Sequence, residues 1–281
     1  MSTQNASQNA AEKGAAEKNT TEKSTQQKVV FVTGAAQGIG RAIAERLAND
    51  GHHIALFDLD EAALQETKQL VEKSGVKALA ITGDVTSKIS LQEAVDETVD
   101  KLGDFDVMIN NAGIAGVAPL EDVSEEEIDR HLDVNYKGTL FGIQVAAKKL
   151  KELGHGGKIL AATSIAAHES FPMIGVYAST KFAVRALIYA AAQELGSAGI
   201  TVNGYSPGVV GTGMWEKLDR GFAEYTGAEI GETYKKYVDG ITLGRASVPE
   251  DVAGFVSYLV GPDADYMTGQ TPIIDGGIVY R

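Results

Sequence analysis

Residues 29–51 read VVFVTGAAQGIGRAIAERLANDG. The opening run VVFVT is apolar and β-branched without alternation, which predicts a short strand buried on both faces. Gly34 ends it. From Ile39 the apolar residues take helical spacing, and Gly51 marks the end of the helix. A buried strand, a glycine turn and a helix form the first half of a β-α-β unit, whose strands lie parallel.

The same alternation continues outward. HIALFD (53–58) predicts a second strand and EAALQETKQLVEKSG (61–75) a helix; KALAITGDV (77–85) predicts a third strand, followed by a helix over about 90–102. FDVMINNAG (105–113) is a fourth strand ending in polar residues and glycine. One long helix is expected over about 125–153, opened by the capping box Ser124-x-x-Glu127. GKILAATS (157–164), a helix containing VYASTKFAVRAL (176–187), ITVNGYSPG (200–208), a helix over 249–260 and QTPIID (270–275) complete the series. This predicts a single-domain α/β fold: a Rossmann-type, doubly wound parallel sheet of about seven strands with helices on both faces. Ligands of such sheets bind at the carboxyl ends of the strands, so chemistry should follow the strands.

Composition bounds the function. Of 281 residues 44% are hydrophobic, enough for one large domain, and there is no cysteine. Disulfides and thiolate chemistry are excluded, and a cytoplasmic, reducing setting is expected. There is no apolar run long enough to span a membrane and no charged-then-apolar leader, so neither a membrane partner nor a secretory signal is expected. The net charge of −13 opposes nucleic acid as a partner. Residues 1–27 repeat AAEKG, AAEKN and TTEKS, and the repeat holds three Glu and three Lys with no aromatic and no aliphatic larger than Ala. They are expected to be a disordered tail, leaving the acidic balance to residues 28–281.

The turn after the first strand carries Gly34, Gly38 and Gly40, with Gln37 just before Gly38 and Ile39 between the last two glycines. Such glycines let backbone approach a phosphate at a helix N-terminus, although the spacing is neither G-x-G-x-x-G nor a P-loop. The second strand ends at Asp58, 18 residues after Gly40, where a carboxylate accepts both ribose hydroxyls of NAD and repels a 2′-phosphate. Asp60 is expected to cap the next helix. Asp84-Val85 suits an adenine, and Asn110, Asn111, Ala112 and Gly113 follow the fourth strand. Four loops at four strand ends point to one dinucleotide.

Tyr177 and Lys181 lie one helical turn apart and share a face. Alone, the pair is equally a core tyrosine beside a snorkelling lysine. A phenol ordinarily titrates near 10, and a neighbouring ammonium favours its phenolate, so the pair also suits proton transfer to a carbonyl. Ser164, ending the fifth strand, can hold the same substrate oxygen. Gly138 and Gly142 interrupt a helical pattern, suggesting a break or a close contact.

With TGAAQGIG, DV, NNAG, Val134-Asn135, Ser164, Tyr177-x-x-x-Lys181 and Ser206-Pro207-Gly208 in this order, the chain resembles the short-chain dehydrogenase/reductase family over about 28–281. The resemblance implies that Tyr177 is the general acid/base, that Lys181 lowers its pKa and binds the nicotinamide ribose, that Ser164 orients the substrate oxygen, and that Asn135 anchors a water relaying protons from Lys181. It further implies that Pro207, Gly208, Val210 and Thr212 meet the nicotinamide, with NAD(H) as cofactor. No histidine pair has metal-ligand spacing, so no catalytic metal is expected. His168 could touch substrate, though a loop histidine is more often structural.

Residues 211–243 form an insertion expected to cover the site. With Trp215, Ile165 and Phe171 it suggests a small apolar pocket for a ketone or alcohol. GMWEKLD, ITLGR, PEDVAGFVSYL and DYMTGQ look like bacterial acetoin/diacetyl reductases, or 2,3-butanediol dehydrogenases. That resemblance implies interconversion of diacetyl, acetoin and 2,3-butanediol. A 3-oxoacyl-carrier-protein reductase, a sugar or polyol dehydrogenase, and a catalytically dead nucleotide sensor are the alternatives. The helix holding Tyr177 is apolar on more than one face, and the family's usual pairing implies a homotetramer.

Overall fold

The structure is a computed structural model describing residues 27–280. The tail expected over 1–27 lies outside the described residues except for Gln27, whose amide donates to Gly51 O at 2.8 Å. Seven strands form one parallel sheet in the order β3-β2-β1-β4-β5-β6-β7. They are β1 (Val29–Thr33), β2 (His53–Asp58), β3 (Ala78–Thr82), β4 (Val107–Asn110), β5 (Gly157–Ala162), β6 (Ile200–Pro207) and β7 (Ile273–Ile274). The order reverses between β1 and β4, which opens a crevice at their carboxyl ends.

Helices cover both faces because each strand is apolar on both. In β1, Val30 and Val32 point to one face and Val29 and Phe31 to the other. The first face is packed by α1 (Gly38–Asn49), α2 (Glu61–Glu72) and, at the far end of the chain, α9 (Pro249–Val260). The second is packed by α3 (Lys88–Leu102), α5 (Gly138–Leu153) and α6 (Gly175–Leu195). The remaining helices are α4 (Glu125–His131), α7 (Gly213–Thr226) and α8 (Glu232–Asp239). Asp60 caps α2 as expected, its carboxylate accepting from Ala63 N.

The single helix expected over 125–153 is instead three pieces: α4, a π turn over Leu132–Lys137, and α5. The widened turn carries Asn135 to a fully buried position. Gly138 and Gly142 also serve close approach. A Cβ on Gly138 would lie 3.0 Å from Val85 Cγ2, and one on Gly142 would lie 1.7 Å from Asn110 Oδ1. Helix α5 therefore rests directly on the end of β4. Gly142→Ala is expected to force the two apart, lowering stability by about 2–3 kcal/mol and the melting temperature by several degrees, as measured by thermal denaturation.

Candidate active site

The carboxyl ends of β1, β4 and β6 are tied together by Asn111. Its amide nitrogen donates to Thr33 O (3.1 Å) and Gly34 O (3.2 Å), and its amide oxygen accepts the Tyr205 hydroxyl at 3.1 Å. Thr33 Oγ1 in turn accepts from the backbone N–H groups of Asn111 and Ala112, both at 3.0 Å. Gly34 and Gly38 adopt left-handed φ angles of 65° and 56°. A Cβ on Gly40 would sit 2.0 Å from Gly34 O, so only glycine lets α1 pack onto the turn. Gln37 precedes α1 without any side-chain cap, leaving first-turn N–H groups free for an anion.

A cleft of about 320 Å³ opens above this turn. Gly34, Gln37, Gly38 and Ile39 form its floor, and Asp58 stands at the end of β2. Asp84 and Val85 close one side, Asn111, Ala112 and Gly113 the other, and Thr212 the roof. The Asp58 carboxylate accepts from Ala36 N at 3.0 Å and Leu59 N at 2.7 Å, which fixes its orientation and leaves lone pairs for hydroxyl donors. Arg41, which directly follows Gly40, is engaged elsewhere. Its guanidinium donates to Ala36 O, Ala63 O, Thr67 and Glu66. These residues fit an adenosine ribose bearing free hydroxyls and a diphosphate at the α1 N-terminus.

Ile39, Asn111, Gly113, Thr212 and Met214 line both this cleft and a second chamber of about 120 Å³. The chamber brings together Ser164, Ile165, Phe171, Tyr177, Lys181, Pro207, Gly208, Val210 and Trp215. Two sequence-predicted residues stand behind the lining. Gly40 acts through backbone packing. Asn135 clamps the loop after β4, accepting from Ile114 N at 2.8 Å and donating to Ile114 O at 2.9 Å and Thr180 Oγ1 at 3.0 Å. A Cβ on Gly113 would lie 3.2 Å from Asn135 Oδ1 and 3.4 Å from Lys181 Nζ, so the two flank Gly113.

Tyr177 and Lys181 rise from the start of α6. Lys181 Nζ is 5.7 Å from the Tyr177 ring centre and donates to Ala162 O at 2.9 Å. The Tyr177 hydroxyl engages Ser164, whose own Oγ accepts from Ala166 N at 3.1 Å. The expected lowering of the phenol pKa by Lys181 is opposed by the protein around it. Burial pushes Tyr177 above its ordinary value, against a smaller opposing effect of the Ser164 hydrogen bond. Burial also pulls Lys181 down to about 8. Desolvation by the surrounding protein outweighs mutual attraction here, and the ammonium stands off the ring.

His168 does not reach the chamber. Its Nε2 pairs instead with Ser206 Oγ of β6 at 2.9 Å, a structural contact. Among the described residues, Asp104, Asp106 and His155 bring ligand-type atoms within 4.8 Å of one another. They flank the amino ends of β4 and β5, at the opposite end of the sheet from the chamber.

The sequence reading missed most of the chamber's outer wall. Met214, Leu218 and Phe222 come from α7, Tyr237 from α8, and Ile174 from the loop before α6. The amphipathic spacing of 213–226 could have exposed the first three. Trp215 packs on Tyr234 (5.7 Å between ring centres) and Tyr237 (5.2 Å), and Tyr237 also meets Phe222 (6.2 Å) and Phe171 (6.3 Å). Asp219, buried in α7, accepts from Gly231 N and from Tyr234 N (2.8 Å) and so holds the start of α8. Nothing in the sequence separates it from the solvated carboxylates nearby.

A serine, a tyrosine and a lysine converging beside a dinucleotide-shaped cleft define an oxidoreductase. A family model described as enoyl-(acyl carrier protein) reductase matches residues 34–279, and the chain belongs to the short-chain dehydrogenase/reductase family. It is 51% identical over 256 residues to L-2,3-butanediol dehydrogenase of Corynebacterium glutamicum, covering 90% of this chain and 99% of that one. It is 45% identical over 255 residues to diacetyl reductase [(S)-acetoin forming] of Staphylococcus epidermidis, again covering 90% and 99%. Carveol dehydrogenase from Mycobacterium avium, solved in complex with NAD, superposes with a TM-score of 0.84 at 28% identity over 89% of this chain and 97% of that one.

The buried Lys181 has a stability consequence. Below pH 8 it is charged in both folded and unfolded chains, and its burial penalty is fully present. Between about 8 and 10.5 the unfolded chain binds more protons, so stability rises with pH. The shift corresponds to about 3 kcal/mol. Lys181→Met is expected to raise the melting temperature of the cofactor-free protein by several degrees at pH 7, with a smaller gain at pH 9.5.

Proposed function

We propose that this chain is an NAD(H)-dependent reductase and dehydrogenase of small vicinal ketones and alcohols, interconverting diacetyl, acetoin and 2,3-butanediol. One observation carries the reading: a small, largely apolar chamber whose polar end holds Ser164 and Tyr177 and whose mouth joins the dinucleotide cleft. The names of the two relatives support the substrate class. The carboxylate of Asp58 and the engaged Arg41 support NAD(H) over its 2′-phosphorylated form.

Bound in the cleft, the nicotinamide supplies hydride to a ketone carbon or accepts it from an alcohol carbon. The chain's residues would handle the proton and the position. Ser164 would hold the substrate oxygen by its hydroxyl. Tyr177 would donate a proton to that oxygen during reduction and remove it during oxidation. Lys181, already aimed at the chamber by Ala162 O, would hold the ribose hydroxyls beside Tyr177. Asn135, across Gly113 from Lys181, would extend the proton path toward solvent. Ile165, Phe171 and Trp215 would exclude water and seat the alkyl groups. Pro207, Gly208, Val210 and Thr212 would fix the nicotinamide end.

We further propose that residues 28–281 form one domain whose segment 211–243 is the substrate lid, in a cytoplasmic homotetramer. The exposure of Phe182 on α6 and of Tyr280 near the C-terminus supports assembly through those surfaces. The absence of cysteine suits the compartment.

Purified protein is expected to oxidise NADH with diacetyl and with acetoin, to do so far more slowly with NADPH, and to leave an acetoacetyl thioester untouched. No turnover of either ketone would overturn the substrate reading. Tyr177→Phe is expected to lower kcat by about 10²-fold or more while leaving NADH affinity intact, checked by steady-state kinetics and fluorescence titration. Because reduction needs the phenol protonated and oxidation needs it ionised, acetoin reduction is expected to fall with rising pH while butanediol oxidation rises.

A further inference from the structure

A vicinal ketone or ketol carries a second oxygen beside the reacting one, and a chamber selective for it needs a second polar contact. Most polar side chains around the chamber are already engaged. Thr163 Oγ1 is bonded to Tyr205 O and Ser206 Oγ, and Thr212 Oγ1 donates to Val210 O. The Asn111 amide is spent on Thr33, Gly34 and Tyr205. Ser164 and Tyr177 are assigned to the reacting oxygen and Lys181 to the ribose.

Tyr237 is different. Three aromatic rings, Phe171, Trp215 and Phe222, pack around it and fix the direction of its phenol. It lines the chamber and is half-buried, and its hydroxyl has no hydrogen-bond partner among the described residues. Burial alone raises its pKa, so it stays neutral at physiological pH. Asp219 anchors the first turn of α8 and thereby the helix that carries it.

We infer that the Tyr237 hydroxyl is the contact that recognises the second, non-reacting oxygen of the substrate, an inference that rests on the vicinal-ketone reading above. A phenol can answer either form of that oxygen. The bystander oxygen is a carbonyl in diacetyl and a hydroxyl in 2,3-butanediol. A phenol donates to the first and accepts from or donates to the second, whereas an indole N–H can only donate. One residue can therefore serve both steps of the sequence.

The test compares Tyr237→Phe with wild type on acetoin, diacetyl and 2-butanone, which lacks the second oxygen. Phenylalanine keeps the ring packing, and 2-butanone turnover reports an intact site. Loss of about tenfold in kcat/KM is expected for acetoin and diacetyl, expressed mainly in KM, with 2-butanone unchanged within about twofold. Unaltered preference for acetoin over 2-butanone in the variant, or equal loss on both, overturns the inference alone. A wild-type enzyme that turns over neither diacetyl nor acetoin overturns it together with the substrate reading.

Discussion

The side chain of Asn111 is the hinge on which the site is built. Its three hydrogen bonds join β1, β4 and β6 where the strand order reverses, and such a reversal leaves a crevice. By gripping Thr33 O and Gly34 O, it sets the start of the glycine turn. That turn places the uncapped first turn of α1 under the cleft, and Gly40 permits the approach. The loop leaving Asn111 carries Gly113 into the gap between Asn135 and Lys181. Cofactor cleft and reaction chamber thus share one polar tie, and the lining residues common to both are its neighbours.

The electrostatics of the Tyr177–Lys181 pair follow from burial more than from charge. A buried ammonium and a buried phenol each lean toward the neutral form when nothing else is bound. On the proposed reading, the ribose hydroxyls and ring charge of a bound dinucleotide would offset what burial removes.

The fold and the strand-end residues were legible in the sequence because both obey short-range rules. Apolar runs gave the strands, glycines gave the turns, and a one-turn spacing paired Tyr177 with Lys181. The π turn was not legible as such. Gly138 and Gly142 signalled a disturbance, but the reason for it, contact with Val85 and Asn110, spans strands distant in sequence. The phenol's upward shift was hidden for a related reason: adjacency can be counted along a helix, whereas burial depends on everything packed around it. Asp219 and Tyr237 were invisible because their roles depend on α7 and α8 folding onto each other. His168, four residues after Ser164 in sequence, is bonded to Ser206 Oγ and does not line the chamber.

The clip made by Asp219 has a consequence for how such a protein can diversify. The cohesion of 213–239 comes largely from its own carboxylate and aromatic rings, and it meets the rest of the chain through a few side chains such as Phe171 and Val117. A segment held together from within can exchange residues without disturbing the sheet. On the proposed reading, the chemistry sits at strand ends held by the sheet and selectivity on a separate cassette, so substrate range is free to change faster than reaction type.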